Sequence, residues 1–289
     1  MTGTEPETTI SHRVEAALET TVTECVELDG GEVGRVHRCR LADGRTVVAK
    51  TGDTPLTVEA RMMEYLDARG LPVPEVHYTS DALLVLEHVA GESGGAHLTA
   101  ATERDVARHL AALHTNTESH YGFPFDSLSG PYRQPNPWTD SWVVFFREHR
   151  LLYVARAARD EGTLPSKTFS RLEGLCKDLG SLIPDDPPAS LLHGDVWANN
   201  LIHRDGEIRA FLDPACSYGH DEVELAYADL VGFGDAFFGT YRDERGIDDG
   251  FRSRRRDVYA LYPILEHVRY FDTDRYRDEL VRVLDRIGY

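Results

Sequence analysis

The sequence predicts an α+β chain in two parts, a β-rich segment over residues 1–90 and a mainly helical remainder over 91–289. Three observations carry this reading. Alternating apolar and polar runs broken by turn residues fill Val22 to Lys50. From Thr99 onward the apolar residues recur at helical spacing. Neither repeat, low-complexity tract nor long linker separates the parts, which favours two intimately packed lobes over independent domains.

Taken in order, about ten tail-like residues precede "TVTECVEL", "VGRVHRCRL" and "RTVVAK", which read as strands. Ala42-Asp43-Gly44 between the last two is a hairpin signal, because Asp-Gly supplies the positive φ values of a tight turn. "TPLTVEARMMEYLDARG" reads as the one helix of this part, with Pro55 near its start and Gly70 past its end. Two prolines hold "LPVPEV" extended. "DALLVLEHV" follows as a strand apolar enough to be central. In the second part, "TERDVARHLAALHTNT" places Val106, Leu110 and Leu113 on one face behind a Thr102/Asp105 start. "WTDSWVVFFREHRLLYVARAARDEG" and "PSKTFSRLEGLCKDLGSLI" read as further helices, the first with Trp138 and Trp142 as core residues at i and i+4. "NNLIH", the turn "RDG" and "EIRAFLD" form a hairpin, after which "HDEVELAYADLVGF" and "RSRRRDVYALYPILEHVRYF" return to helix.

Composition narrows the class of protein. With 289 residues, 41% hydrophobic and 28% charged, the chain can bury a sizeable core. A formal charge of -18 repels phosphate backbones and anionic lipid, so neither nucleic acid nor membrane is an expected partner, and Arg252 to Arg256 read as a solvated helix face. The acidic, lysine-poor surface fits a salt-rich cytoplasm, where a Debye length of ~3 Å at 1 M salt screens self-repulsion. Cys25, Cys39, Cys176 and Cys216 form no CxxC pair and read as reduced, mostly buried thiols. The polar start MTGTEPETTI and the lack of a long apolar run predict a cytoplasmic protein.

The segment "LLHGDVWANNLIHRDGEIRAFLDPACSYG" concentrates the chemistry. His193-Gly194-Asp195 with Asn200 five residues after the aspartate has the spacing of a kinase catalytic loop, where the aspartate accepts a hydroxyl proton and the asparagine oxygen helps hold Mg²⁺ on ATP. The following hairpin returns Asp213 beside that loop as a second metal ligand. The same residues suit a capped turn beside a hairpin; the upstream chain argues for the chemistry. Lys50 ends a strand, in a chain with only Lys167 and Lys177 besides, and Glu59 lies early in the next helix to aim it at the α and β phosphates. Gly30, Gly31 and Gly34 fit either a phosphate-covering loop or an ordinary hairpin turn, and Lys50 downstream favours the loop. Glu87 to Val89, where a strand runs out, is the hinge position that offers backbone groups to adenine. Trp197 is equally a wall for a sugar face or a packing residue. His109 and His114, five apart, do not share the face of a helical metal pair. A glycine rather than arginine before the aspartate, and Asp213-Pro214-Ala215 in place of Asp-Phe-Gly, point to kinases of small molecules.

With these residues in view, the chain resembles the fructosamine kinase (ketosamine 3-kinase) family, relatives of the aminoglycoside and choline phosphotransferases. "LLHGDVWANN" is similar to that family's HGDLWxxN, "DPACSYG" to its DPAxYYG, and "QPNPWTDSWVVFFREHRL" to its QPNxWxxDWxxFFxxxRL. The resemblance runs from about Gly30 to "LYPILEHVRYF". It implies a bilobal protein-kinase-like fold, ATP and Mg²⁺ as cofactors, and phosphorylation of the sugar 3-hydroxyl of a small-molecule or protein-bound ketosamine. The assembly is left open between monomer and homodimer. It assigns Asp195 as base, Asn200 and Asp213 as metal ligands, and Lys50 with Glu59 as phosphate clamp. Transfer to an aminoglycoside or other small alcohol, and a silent nucleotide-binding module, are the alternatives. Where the family continues YYGxREADLA, this chain has Asp221 for the arginine and Glu224 for an aspartate, departures expected to alter contacts near the substrate.

Overall fold

In the computed structural model, which describes residues 7–28, 34–94 and 98–289, the chain begins with α1 (Glu7–Leu18). Then come β1 (Val22–Leu28), β2 (Arg35–Leu41), β3 (Thr46–Thr51), α2 (Leu56–Asp67), β4 (Val76–Ser80), β5 (Leu83–Glu87) and β6 (Glu92–Ser93). The middle holds α3 (Ala100–Leu113), β7 (Thr117–Glu118), β8 (Ser127–Ser129), β9 (Tyr132–Gln134), α4 (Trp142–Phe146), α5 (Leu152–Asp160) and α6 (Ser166–Leu182). The last third holds β10 (Ala189–Leu192), β11 (Leu201–Arg204), β12 (Glu207–Phe211), β13 (Ser217–Gly219), α7 (Glu222–Leu230), α8 (Asp235–Glu244), α9 (Arg256–Phe271) and α10 (Asp274–Ile287). This is an α+β, protein-kinase-like architecture. Contacts divide it into two units, one of residues 1–96, 127–133 and 198–215, the other of 97–126, 134–197 and 216–289.

The sheet unit is organised by the period-2 alternation of strands. Its main sheet runs β1-β2-β3-β5-β4, with every neighbouring pair antiparallel. Leu83 and Val85 of β5 join Val47 and Ala49 of β3 in a core capped by Ile10 and Val14 of α1. Leu84 and Leu86 face the other way, onto Leu56, Ala60 and Met63 of α2, with Val48 beside them. Covered on both faces, β5 reads as a continuous apolar run, as expected of a buried strand. The same parity decides the chemistry: Val48 and Lys50 share the α2 face of β3, so the lysine points toward the helix that carries Glu59. Gly34, at the entry to β2, has a packing reason of its own, since a Cβ there would stand 2.4 Å from the Thr51 carbonyl oxygen. Gly30 and Gly31 lie outside the described residues.

Several expectations are corrected here. Residues read as a tail form α1, a second helix of the sheet unit; its buried side chains include Ile10 and Val14, too sparse a stripe to announce a helix. The cysteines are not four separate thiols, because Cys25 and Cys39 are directly opposed on β1 and β2 and joined as a disulfide, while Cys176 and Cys216 are buried and free. In the helical unit, Thr99 rather than Thr102 caps α3, accepting the Thr102 N–H at 3.2 Å. Trp138 is not helical core: Ser141 caps α4 by accepting the Val144 N–H, which starts the helix at buried Trp142 and leaves Trp138 exposed. The arginine run is only partly a solvated face, since Arg255 holds Glu222 through two hydrogen bonds of 2.6 Å and Arg256 pairs with Asp229.

The helical unit places one loop. β10 is buried throughout and pairs with β13 and β7, so the chain leaves the sheet at Leu192 directly into His193-Gly194-Asp195. Among the described residues no helix is long and apolar enough to cross a membrane.

Candidate active site

In the sheet unit, the β11–β12 hairpin turns through Asp205 and Gly206, both at positive φ (57° and 83°), the conformation that Asp-Gly tolerates best. Its pairing continues past the strands: the Leu212 N–H donates to the Asn200 carbonyl at 2.8 Å. The hairpin thus returns Asp213 to the backbone level of Asn200. Asp213 itself sits at φ 52°, a left-handed conformation uncommon outside glycine and worth attention at a functional position.

Lys50 meets this hairpin. Its Nζ donates to Asp213 Oδ1 at 2.5 Å and to Glu59 Oε1 at 2.9 Å. Glu59 occupies the first turn of α2, where the helix dipole favours a carboxylate. Burial works against the ammonium, but the two carboxylates outweigh it and raise the lysine pKa above its ordinary value. Glu59 feels the opposite balance, its carboxyl pushed up by burial and by Asp213 against the pull of Lys50. The Lys50 and Glu59 side chains are 17% and 11% exposed, whereas Asp213 is 49% exposed. The cluster is therefore closed at one end and open at the other. Asn200 is buried and offers an amide oxygen, Asp213 a carboxylate. Such hard oxygen donors fit Mg²⁺, which characteristically takes one or two protein ligands and completes its shell with phosphate and water.

Glu87 is exposed at the end of β5, and its N–H is committed to the Glu75 carbonyl at 2.8 Å. Val89 lies beyond the strand, half-buried.

In the helical unit, Gly194 has φ 91°, which explains glycine in the loop without any regulatory argument. The loop is gripped by α7. Glu224 is 1% exposed at its side chain, and its carboxylate accepts the Gly194 N–H at 2.7 Å, the His193 N–H at 3.2 Å and His114 Nε2 at 2.8 Å. His114 Nδ1 in turn lies 2.6 Å from the Tyr241 hydroxyl. Burial alone would raise the Glu224 pKa, but His114 and the Gly194 N–H hold it below the usual carboxylate range. Asp221 accepts Arg245 Nε at 2.7 Å, and Arg245 also reaches Ser190 of β10. Asp195, half-buried, accepts a hydrogen bond from the Tyr227 hydroxyl at 2.8 Å. Trp197 is half-buried two residues on.

Glu224 and Asp221, the two departures from the family pattern, therefore have partners within the fold. Both serve the protein's own loop and its flanking strand, and Arg245 gives Asp221 a partner within the same unit. His114, Tyr227, Tyr241 and Arg245 escaped sequence reasoning, because their partners lie between 20 and 127 residues away along the chain. The one available signal was a histidine at the end of an otherwise apolar helix face, and that signal is weak.

Comparison with known proteins gives a consistent set of relatives. A "Protein-ribulosamine 3-kinase, chloroplastic" of Arabidopsis thaliana is 29% identical over 76% of this chain and 67% of its own length. A "Probable ketoamine kinase" of Synechocystis is 39% identical over 57% of this chain; the match spans 56% of that relative, so the chain accounts for little more than half of its length. A crystal structure provisionally identified as a fructosamine-3-kinase of Thermobifida fusca superimposes with a TM-score of 0.85 at 28% identity, covering 96% of this chain and 98% of that one. The fructosamine kinase family model matches residues 6–288. With nearly the whole length matched, and the HGD loop, the DPA turn and the QPN segment all in place, the chain belongs to the fructosamine kinase family.

Proposed function

We propose that the protein is an ATP- and Mg²⁺-dependent kinase that phosphorylates the sugar 3-hydroxyl of ketosamines. The observation that carries the reading is the Lys50 ammonium held between Glu59 and the half-exposed Asp213. A half-buried cation fixed by a helix carboxylate and open on one side suits the α and β phosphates of ATP, and catalysis of this kind is mostly positioning and electrostatics. The ketoamine and ribulosamine substrates named for the relatives supply the acceptor class.

In this reading Lys50 binds phosphate and Glu59 keeps it aimed. Gly30, Gly31 and Gly34 belong to the phosphate-covering loop, and a side chain at Gly34 would meet the Thr51 carbonyl of β3. Adenine is read by backbone groups past Glu87, at Val89, because the Glu87 N–H is already used within the sheet. Asn200 and Asp213 would hold Mg²⁺, which when bound neutralises phosphate charge. Asp195 takes the proton of the acceptor hydroxyl, and Trp197 offers an apolar surface to the sugar. Replacing Asp195 by alanine lowers turnover by roughly 10²–10⁴, the usual size of a general-base contribution.

An ATP-consumption screen over free and protein-bound fructosamines and ribulosamines, aminoglycosides, choline and free sugars tests the assignment. Transfer to ketosamines with NMR-detected phosphate on the 3-oxygen supports it. Transfer confined to another alcohol replaces the acceptor, and nucleotide binding without transfer to any of them leaves a silent binding module.

A further inference from the structure

One helix holds the catalytic loop twice. Glu224 and Tyr227 are three positions apart on α7 and so share a face of it. The first accepts the backbone N–H groups of His193 and Gly194, and the second donates its hydroxyl to Asp195 Oδ1 at 2.8 Å. Backbone position and side-chain rotation of the loop are therefore set from the same rigid element. Glu224 acts on the backbone of the loop, whereas Tyr227 reaches the side chain of Asp195. The remainder of this stretch of α7 is core: Leu225, Ala226 and Ala228 are buried, whereas Tyr227 is only half-buried. A phenol placed there does more than fill space.

We propose that Tyr227 is a positioning residue for Asp195, an inference that rests on the assignment of Asp195 as base. By donating to Oδ1, it holds the plane of the carboxylate in the orientation in which the base meets the acceptor. In the transfer, the acceptor O–H bond breaks and its proton passes to the Asp195 carboxylate. The acceptor oxygen forms a bond to the γ-phosphorus as the bond from that phosphorus to the ADP oxygen breaks. Without the phenol the carboxylate loses one hydrogen bond that holds its orientation, and the loss falls on the transferring step rather than on nucleotide binding.

The test is a double-mutant cycle on the full chain with Tyr227→Phe, Asp195→Ala and the pair, using ATP and fructosyl-lysine, or the acceptor that the substrate screen selects. Tyr227→Phe keeps the ring and so the packing. It is expected to lower kcat by roughly 10- to 100-fold, the range of one hydrogen bond to a charged group, with KM for ATP within about twofold and an unchanged melting temperature. In the Asp195→Ala background the same change has no further effect, because the two residues act as a unit. Parent-like kcat in Tyr227→Phe, with Asp195→Ala inactive, overturns the positioning role alone. So does a full, multiplicative loss in the double variant, which would place the action of Tyr227 elsewhere. Parent-like turnover in Asp195→Ala overturns the base assignment, and the positioning role with it.

Discussion

The two charged clusters of this molecule are built on opposite plans. In the sheet unit, Lys50 has two carboxylate partners, one of them, Glu59, buried and the other, Asp213, half-exposed. In the helical unit, Glu224 is closed on all counts, with one histidine and two backbone N–H groups supplied by the protein. The difference separates two uses of charge. A buried carboxylate with both oxygens hydrogen-bonded by the protein is a fastener; its energy is spent on holding a loop. An ammonium shared with a half-exposed carboxylate is a site whose partners can be exchanged, because solvent or a phosphate can replace Asp213 without leaving a buried charge unpaired.

The comparison breaks most visibly at Glu224. Glu224→Ala leaves His114 and two loop N–H groups without their acceptor, and removing one member of a buried ionic network costs about 3–5 kcal/mol. Urea denaturation reads this as a lower midpoint at constant m-value. Glu224→Asp, one methylene shorter, recovers part of the stability if the carboxylate still reaches Gly194. Parent-like stability in Glu224→Ala would show that the loop holds itself, and that the helix grip is incidental.

The open cluster answers differently. Lys50→Met removes the ammonium but keeps the stem, and its expected effect is on turnover: roughly 10²- to 10³-fold, the scale for loss of one preorganised charge stabiliser. Stability falls less than in Glu224→Ala, since Asp213 is half in solvent and Glu59, left buried without its cation, can take up a proton because burial already raises its pKa. A steady-state assay paired with a thermal melt checks both halves. A large fall in melting temperature with little loss of turnover would make Lys50 a fastener too, and remove the observation on which the kinase reading rests.

The open cluster was also the legible one. Lys50, Glu59, Asn200 and Asp213 follow from local rules, namely strand parity, the first turn of a helix and the return of an Asp-Gly hairpin, all of which are written within a few residues. The closed network was not legible, because Tyr241 and His114 are 127 residues apart and nothing in the spacing of either announces the other. The Cys25–Cys39 bond failed for a related reason: it depends on the register of β1 on β2, and the two cysteines are 14 residues apart. Helix α1 failed because a sparse stripe of apolar residues in a polar stretch becomes a helix only once the sheet is there to receive it.

The smallest expected effect tests how far the closed region extends. His220 is buried next to the network, shares a hydrogen bond of 2.7 Å with the Tyr259 hydroxyl, and is pushed down to about 4 by burial. Its unfolded value is about 6.5. Below that pH the unfolded chain takes up a proton that the folded chain refuses, so stability falls as pH drops from about 6.5 and levels off once the folded histidine also protonates near 4. The span amounts to roughly 3 kcal/mol at most, and His267, likewise pushed down to about 4 by burial but packed on Phe271 and Tyr276, adds a similar contribution from outside the network. Denaturation midpoints of the parent, His220→Gln and His267→Gln, measured from pH 7 to pH 4, separate the two. Each variant flattens its own share of the slope. If His220→Gln leaves the profile unchanged while His267→Gln flattens it, the region around Tyr259 admits water and protons, and the closed network ends at Arg245 and Asp221.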